Sequence, residues 1–550
     1  MRSWLSSVAL VVSTLLIPRP VHAQTEQLGD GEEIELDGEQ TDEAPATVGP
    51  MSREAARADQ LFDAERWGEA ATALGPVVDG DTSDGRGNRQ IAQYHLAIAL
   101  YRLQFYQASY GIFAEIADDP NHLKFNQTML WLSRLATQLP EPADIVDRLG
   151  KYEAEQLARF DNPQQRDLYS HLSYLLGKYK YRNRNYKEAI RLFEKVEKST
   201  RHHSEAQLWM GVAFVQLGKA APAAASFQRS VQSIDENTPG AARLRDLGHL
   251  SVARIHYSAG IRIGVDGVPS VNRRMLQVAI DHWSRVDAGG ELWLDALFEQ
   301  SWAYFMAGDS SRALGNIHTL QSPYFPGAFY PEADILKAVI SLTRCHSDDA
   351  ATIAVKMQEK VAPIVKELEL TLDRLVGEDR EAQFFRFMGD VRGGTTTLSP
   401  ATRSVLEQSF SSRELLRHFE YIRVLDQEGA RLRKAPTSFR DSRLGDYVTD
   451  ALSLARDIAV RNAGALGRDR YQRALDELKE HLRDARNLRE FGKSEHAMVD
   501  RGLIGRLTKK ETFTYAADGI DGAASWPFDG EYWRDELGSY RQQVTSICSK

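Results

Sequence analysis

The runs LLGKYKYRNRNYKEAIRLFEK (Leu175–Lys195) and WMGVAFVQLGKAAPAAASFQR (Trp209–Arg229) lie 34 residues apart within Leu172–Val231 and read as one helical hairpin written twice. Leu176-Gly177, Ala189 and Phe193 recur as Met210-Gly211, Ala223 and Phe227. Each position has a physical task. The glycine lets helix A come close to helix B, the alanine sits where the two touch, and the phenylalanine fills the space between hairpins. A hairpin of this kind cannot bury its apolar face alone, so the pattern predicts a stack. Recognition by shape is the function expected of such a stack.

Working outward, the same spacing returns in weaker form. A first hairpin uses Ala58, Leu61, Phe62, Trp67, Ala70 and Leu74, and a second uses Leu96-Ala97, Tyr106, Ser109 and Phe113. A third, from about Phe125 to Leu149, keeps an apolar stripe but has no small-residue signature. Beyond the central pair, Ala253 and Tyr257 open a hairpin whose second helix, with Ala279 and Trp283, arrives 14 residues late; the excess is a loop at Gly260–Arg274. Two more hairpins carry Ser301, Gly308 and Ala313, then Ala338 and Ala350. Residues 52–360 thus hold about seven hairpins, five of them well formed.

The signature stops at 361. Residues 361–511 show an apolar residue every three or four positions, the mark of long helices paired in a bundle or coiled coil. One of these helices is expected from Leu444 to about Phe491, with kinks at Gly464 and Gly467. Residues 512–550 form an aromatic-rich tail in which Trp526, Phe528, Tyr532, Trp533 and Tyr540 crowd into a short acidic stretch. Such density seldom stays in water, so the tail is expected to fold back over an apolar groove of the long helices. Docking on another protein is the alternative. The fold class is all-α: a solenoid of antiparallel hairpins followed by a long-helix region.

The chain has 550 residues, 42% of them hydrophobic, and a net charge of -9. Residues 1–23 read as a secretory signal, with Arg2, an apolar run from Trp4 to Ile17, and Val21-His22-Ala23 as the cleavage site. Residues 24–51 are a linker, expected to be disordered; Gln24–Ser52 holds nine acidic residues and no Lys or Arg. The mature protein is therefore expected to be periplasmic, and no later run is long and uncharged enough to span a bilayer. Cys345 reads as a buried thiol of a repeat helix and Cys548 as an incidental tail thiol. A long-range disulfide between them is the alternative in an oxidising compartment.

No catalytic arrangement stands out. His202-His203 are adjacent and point to different sides of a helix, and Cys345-His346 has no further ligand at metal spacing. Asp79–Gly85 looks like the start of a calcium loop, but Asp84 stands where glycine is needed and Gln90 where a bidentate Glu is needed. No cofactor, metal or nucleic acid is implied. The mild basic excess over 431–511 lacks aromatic interleaving and reads as a solvated face.

On Gly177, Ala189, Phe193, Gly211, Ala223 and Phe227, residues 52–360 resemble the tetratricopeptide repeat family. Three short runs, Leu320–Phe325, Pro331–Ala338 and Trp526–Tyr540, resemble secreted tetratricopeptide proteins of gliding delta-proteobacteria. That resemblance implies a periplasmic or outer-membrane-associated subunit of a motility or envelope machine, with other envelope proteins as partners. The function expected is a non-catalytic scaffold that binds protein partners through its A helices. Tyr94, Tyr101, Tyr179, Gln207, Trp209 and Trp302 are the candidate contacts there, with packing between hairpins as the alternative for each, and Trp526, Phe528, Tyr532 and Trp533 are those of the tail. An envelope enzyme acting on cell-wall polymer, with its site in 361–550, is the alternative.

Overall fold

The computed structural model describes residues 46–548 apart from 153, 238–239, 264–268, 378 and 494–531. The signal segment, most of the acidic linker, Trp526 and Phe528 lie outside the described residues. At the end of the linker Asn88 Nδ2 donates to the carbonyls of Gly49 and Pro50.

Eight helix pairs follow one another. They are α1 (Arg53–Asp63) with α2 (Trp67–Asp79), α3 (Arg86–Arg102) with α4 (Tyr106–Asp118), and α5 (Phe125–Leu135) with the short α6 (Ile145–Leu149). After α7 (Ala154–Ala158) come α8 (Arg166–Arg182) with α9 (Tyr186–Glu194) and α10 (His203–Gln216) with α11 (Ala220–Gln232). The array ends with α12 (Ala241–Gly260) and α13 (Arg273–Trp283), α14 (Trp293–Ala307) and α15 (Ser310–Leu320), then α16 (Pro331–Thr343) and α17 (Ser347–Leu372). The late second helix of the sixth pair follows two short antiparallel strands, β1 (Ile261–Ile263) and β2 (Pro269–Val271), where a plain loop was expected.

The hairpin contact is as the sequence pattern requires, with one refinement. A Cβ on Gly177 would lie 2.5 Å from the Phe193 ring, and one on Gly211 would lie 2.5 Å from the Phe227 ring. The phenylalanine therefore fills the space over the glycine of its own hairpin. Ala189 and Ala223 are fully buried between the helices.

The turns share a second device. Glu65, Gln104, Arg184, Gly218, Gly308 and Cys345 all have positive φ, and each stands two residues before its second helix. The residue after each of them donates its N–H to the carbonyl five positions back, as Asn185 does to Lys180 and His346 does to Ser341. This closes helix A and aims the chain into helix B.

The C-terminal region is α18 (Arg380–Gly393), α19 (Pro400–Ser409), α20 (Arg413–Lys434), the turn α21 (Thr437–Arg440) and α22 (Arg443–Lys493). No break marks residue 360, since α17 runs through it and past Pro363. Helix α22 has 51 residues, or about 75 Å of length, and is unbroken at Gly464 and Gly467. Those glycines are crossing points rather than kinks. A Cβ on Gly464 would lie 1.8 Å from the Glu381 carbonyl oxygen, and one on Gly467 would lie 2.1 Å from Met388 Sδ.

Helix α22 joins the two ends of the array. Near its start Tyr447 donates to the Ala108 carbonyl and Arg443 pairs with Asp81 at 2.7 Å. Near its end Lys479 pairs with Glu369 at 2.7 Å and His481 with Glu332 at 3.2 Å. One continuous apolar core accordingly runs from hairpins 1–5 into α17–α22, while hairpins 6 and 7 share a second with α16. Helix α20 caps a repeat helix at this junction: both Glu428 carboxylate oxygens accept the Gln107 N–H at the start of α4.

Two outcomes follow from these contacts. Gly464→Ala is expected to cost about 2–4 kcal/mol in denaturant unfolding, because rigid backbone blocks the new methyl. Gly389→Ala, with nothing near its Cβ, should instead gain up to about 1 kcal/mol. Burial pushes the Glu428 carboxyl up to about 8, against the pull of the Gln107 N–H and of Arg431. Its folded pKa exceeds the unfolded one, so its contribution is complete below about pH 4.5 and is lost as pH rises through about 8. Wild type should lose roughly 4 kcal/mol relative to Glu428→Gln between pH 5 and 9, measured by denaturant midpoints at each pH.

Candidate protein-binding surface

The six A-helix candidates lie in the stacking of the hairpins. Tyr94 accepts a hydrogen bond from Trp131 Nε1 at 2.9 Å, and Tyr101 meets the Trp131 ring edge-on at 5.2 Å. Trp209 meets Tyr181 in the same way at 5.2 Å, and Tyr179 covers Gly150 at the end of α6. Gln207 is buried and accepts from Arg229 Nε of its own hairpin, and Trp302 is buried beside Phe305. Sequence reading missed a recurrence here: Tyr101, Tyr106 and Trp131 pack as Tyr181, Tyr186 and Trp209 do.

The tail departs from expectation. Tyr532 stacks on His318 of α15 at 4.3 Å, so the described tail packs on the repeats and not on the long helices. Trp533 is half exposed and closes a loop by donating its N–H to the Tyr540 hydroxyl. The cysteines are not free: Cys345 and Cys548 are joined in a disulfide across 203 residues.

Where the third hairpin loses its small residues and its second helix shrinks to five residues, the stack opens. A cavity of about 490 Å³ lies between α5, α8 and the turn before α10. Arg134 and Thr137 line one wall, Asp167 and His171 the second, and Thr200, Arg201 and His202 the third. None of the six A-helix candidates lines it. Its floor is rigid, because His202 is stacked between His171 at 4.4 Å and Tyr174 at 5.1 Å. His203 turns away and is buried against the Val196 carbonyl, as adjacent helical positions require.

Burial, with His202 and Arg201 nearby, holds His171 down to about 3, so its ring is neutral near pH 7. The cavity's charge comes from two exposed guanidiniums and one carboxylate. Arg134 is steadied by the Trp131 ring, 4.6 Å from its centroid. This arrangement can hold a carboxylate or other anionic group by charge-assisted hydrogen bonds, with hydroxyl donors beside it. Among the described residues no group of three His, Cys, Asp or Glu side chains is placed to hold a metal ion. The sequence signal for this cavity is the missing signature of the third hairpin.

A second cavity, of about 560 Å³, lies among Leu320, Pro326, Asp334, Lys337, Lys356 and Lys360 at hairpins 7 and 8. It joins the Pro-rich and aromatic connection to the last hairpin. Among the described residues no helix is long and apolar enough to cross a membrane.

Residues 174–242 match the tetratricopeptide repeat family. No curated protein matches the chain. Among solved structures, the C-terminal part of a tetratricopeptide repeat-containing protein from Cytophaga hutchinsonii is 15% identical, with a TM-score of 0.30, covering 48% of this chain and 93% of that one. A Rap protein in complex with competence and sporulation factor is 13% identical, covering 78% and 98%, with a TM-score of 0.23. The P58(IPK) tetratricopeptide domain is 12% identical, covering 80% and 99%, with a TM-score of 0.18. The family match covers hairpins 4 and 5, and the eight helix pairs, six of them with the same left-handed turn, give the array an all-α, tetratricopeptide-like solenoid fold.

Proposed function

We propose that this chain is a non-catalytic scaffold of the bacterial cell envelope, and that it holds a protein partner at the opening between the third and fifth hairpins. The observation that carries this reading is the cavity floored by His171 and His202, the latter also stacked on Tyr174, and flanked by Arg134 and Arg201. A partner segment bearing a carboxylate side chain suits it. Two guanidiniums supply the charge, and a floor that is already stacked needs little reorganisation on binding. Repeats that match a family of protein-binding modules border the site.

The signal-like segment 1–23 supports export across the inner membrane, and the runs Leu320–Phe325 and Pro331–Ala338 support membership of a motility or other envelope-spanning complex. The partner is then another envelope protein.

A photo-crosslinking side chain at Thr137, on the cavity wall, should capture a discrete envelope protein in living cells. The same probe at Leu454, exposed on α22, should not. With the partner in hand, Arg134→Glu combined with Arg201→Glu should weaken binding by about 10–100-fold, as expected for two charge-assisted contacts. Equal affinity of the double variant, or a probe at Thr137 that captures nothing, removes this reading.

A further inference from the structure

The tail from Tyr532 to Cys548 is a strap laid along the seam of hairpins 7 and 8. It contains one short helical turn, Arg534–Glu536, and is otherwise irregular. Gly538 N–H donates to Thr319 Oγ1, Gln542 N–H to the Ser311 carbonyl, and Ile547 N–H to the Arg344 carbonyl. The Thr545 carbonyl lies 2.7 Å from His346 Nε2, and the Tyr532 carbonyl accepts from the Tyr324 hydroxyl. Val544 packs on the core of hairpins 6 and 7, and a Cβ on Gly538 would lie 3.1 Å from the Trp293 ring of that core. The repeat is shaped to receive it: a Cβ on Gly315 would lie 1.7 Å from the Tyr540 carbonyl oxygen.

Most strap residues are exposed, so its non-covalent hold is small for its length. What fixes its end is the bond from Cys548 to Cys345. Cys345 occupies the left-handed turn position that Glu65, Gln104, Arg184, Gly218 and Gly308 occupy in other hairpins. That position accepts long polar side chains and none at all, so the hairpin itself does not require a cysteine there. The bridge serves the strap. Cys548 is the more exposed residue of the two, and Cys345 is half-buried.

We propose that Cys345 and Cys548 form a thiol–disulfide exchange site whose oxidation state decides whether the strap covers this seam. The reductant is a dithiol. One of its thiolates attacks Cys548 Sγ, the S–S bond breaks, and Cys345 leaves as a thiolate that takes a proton. The second sulfur of the dithiol then displaces Cys548, which is protonated in turn, and the dithiol ends as a disulfide. Two electrons and two protons pass to the protein, and the reverse steps close the latch. Once open, the strap keeps its hydrogen bonds, the packing of Tyr532 and Tyr540 on His318, and Val544, but no covalent hold.

The test is amide hydrogen exchange of the full-length chain in native buffer, before and after dithiothreitol. The bridge should reduce without denaturant, and exchange over residues 538–547 should accelerate by about tenfold or more, while α15 and α16 keep their protection. Cys548→Ser should reproduce the open state with no reductant. Gly315→Ala should loosen the strap with the bridge intact, which separates the slot from the latch. A bridge that resists dithiothreitol until the chain unfolds overturns the proposal. So does a strap that stays protected after reduction, or one that Gly315→Ala leaves unmoved.

Discussion

A side chain left out where two backbones cross is the constraint on which this structure depends. The Phe193 ring lies where a Cβ of Gly177 would be, and Phe227 repeats the contact on Gly211. In the C-terminal region the Glu381 carbonyl takes the space at Gly464 and Met388 the space at Gly467. The tail does the same at Gly315. Hairpin, bundle and strap each use it, and in each the gain is close apolar or main-chain contact that one methyl group would abolish.

Close crossing of α22 has a consequence for the whole array. An open solenoid contacts only its neighbours and can flex along its length. Here a helix of about 75 Å ties hairpins 1 and 2 to hairpin 8, so the first and last units share a core. Exposed pairs such as Arg443 with Asp81 and Arg413 with Glu291 contribute at most about 1 kcal/mol each. Burying Phe439 against Phe105, or Tyr471 among Phe384 and Phe387, is worth about 2–3 kcal/mol apiece. Apolar burial therefore carries the junction, and the ion pairs and Glu428 set its register.

The repeat fold was legible because its determinants are local: a glycine, an alanine and a phenylalanine at fixed spacing report one hairpin without help from distant residues. The long helix was legible from its stripe, to within two residues at either end. Its glycines were misread as kinks because the sequence does not show what lies opposite. The same blindness applies to Cys345 and Cys548, which only the folded tail brings within 5.1 Å at Cα. The left-handed turn escaped notice because Glu65, Gln104 and Arg184 hide what Gly218 and Gly308 display openly. The A-helix aromatics stayed open between partner contact and packing, because an aromatic at such a position packs as well against the next hairpin as against a partner.

That last ambiguity explains where a site can form in a repeat protein. Where successive hairpins nest, as at Tyr181, Tyr186 and Trp209, the large A-helix side chains pack on one another. Where nesting fails, the same kinds of side chain lose their neighbours. The third hairpin lacks the small-residue signature with which the others close, and the gap beside it is lined by Arg134, His171, Arg201 and His202. A cavity with a stacked floor and guanidiniums at its rim is costly to keep in a purely structural array, because well-packed apolar contact would serve stability better. Regular hairpins on either side supply the rigidity that such an opening lacks, and α22 holds those hairpins in place. The departure from the repeat is thus the part with binding chemistry, and the repeat is what keeps it in shape.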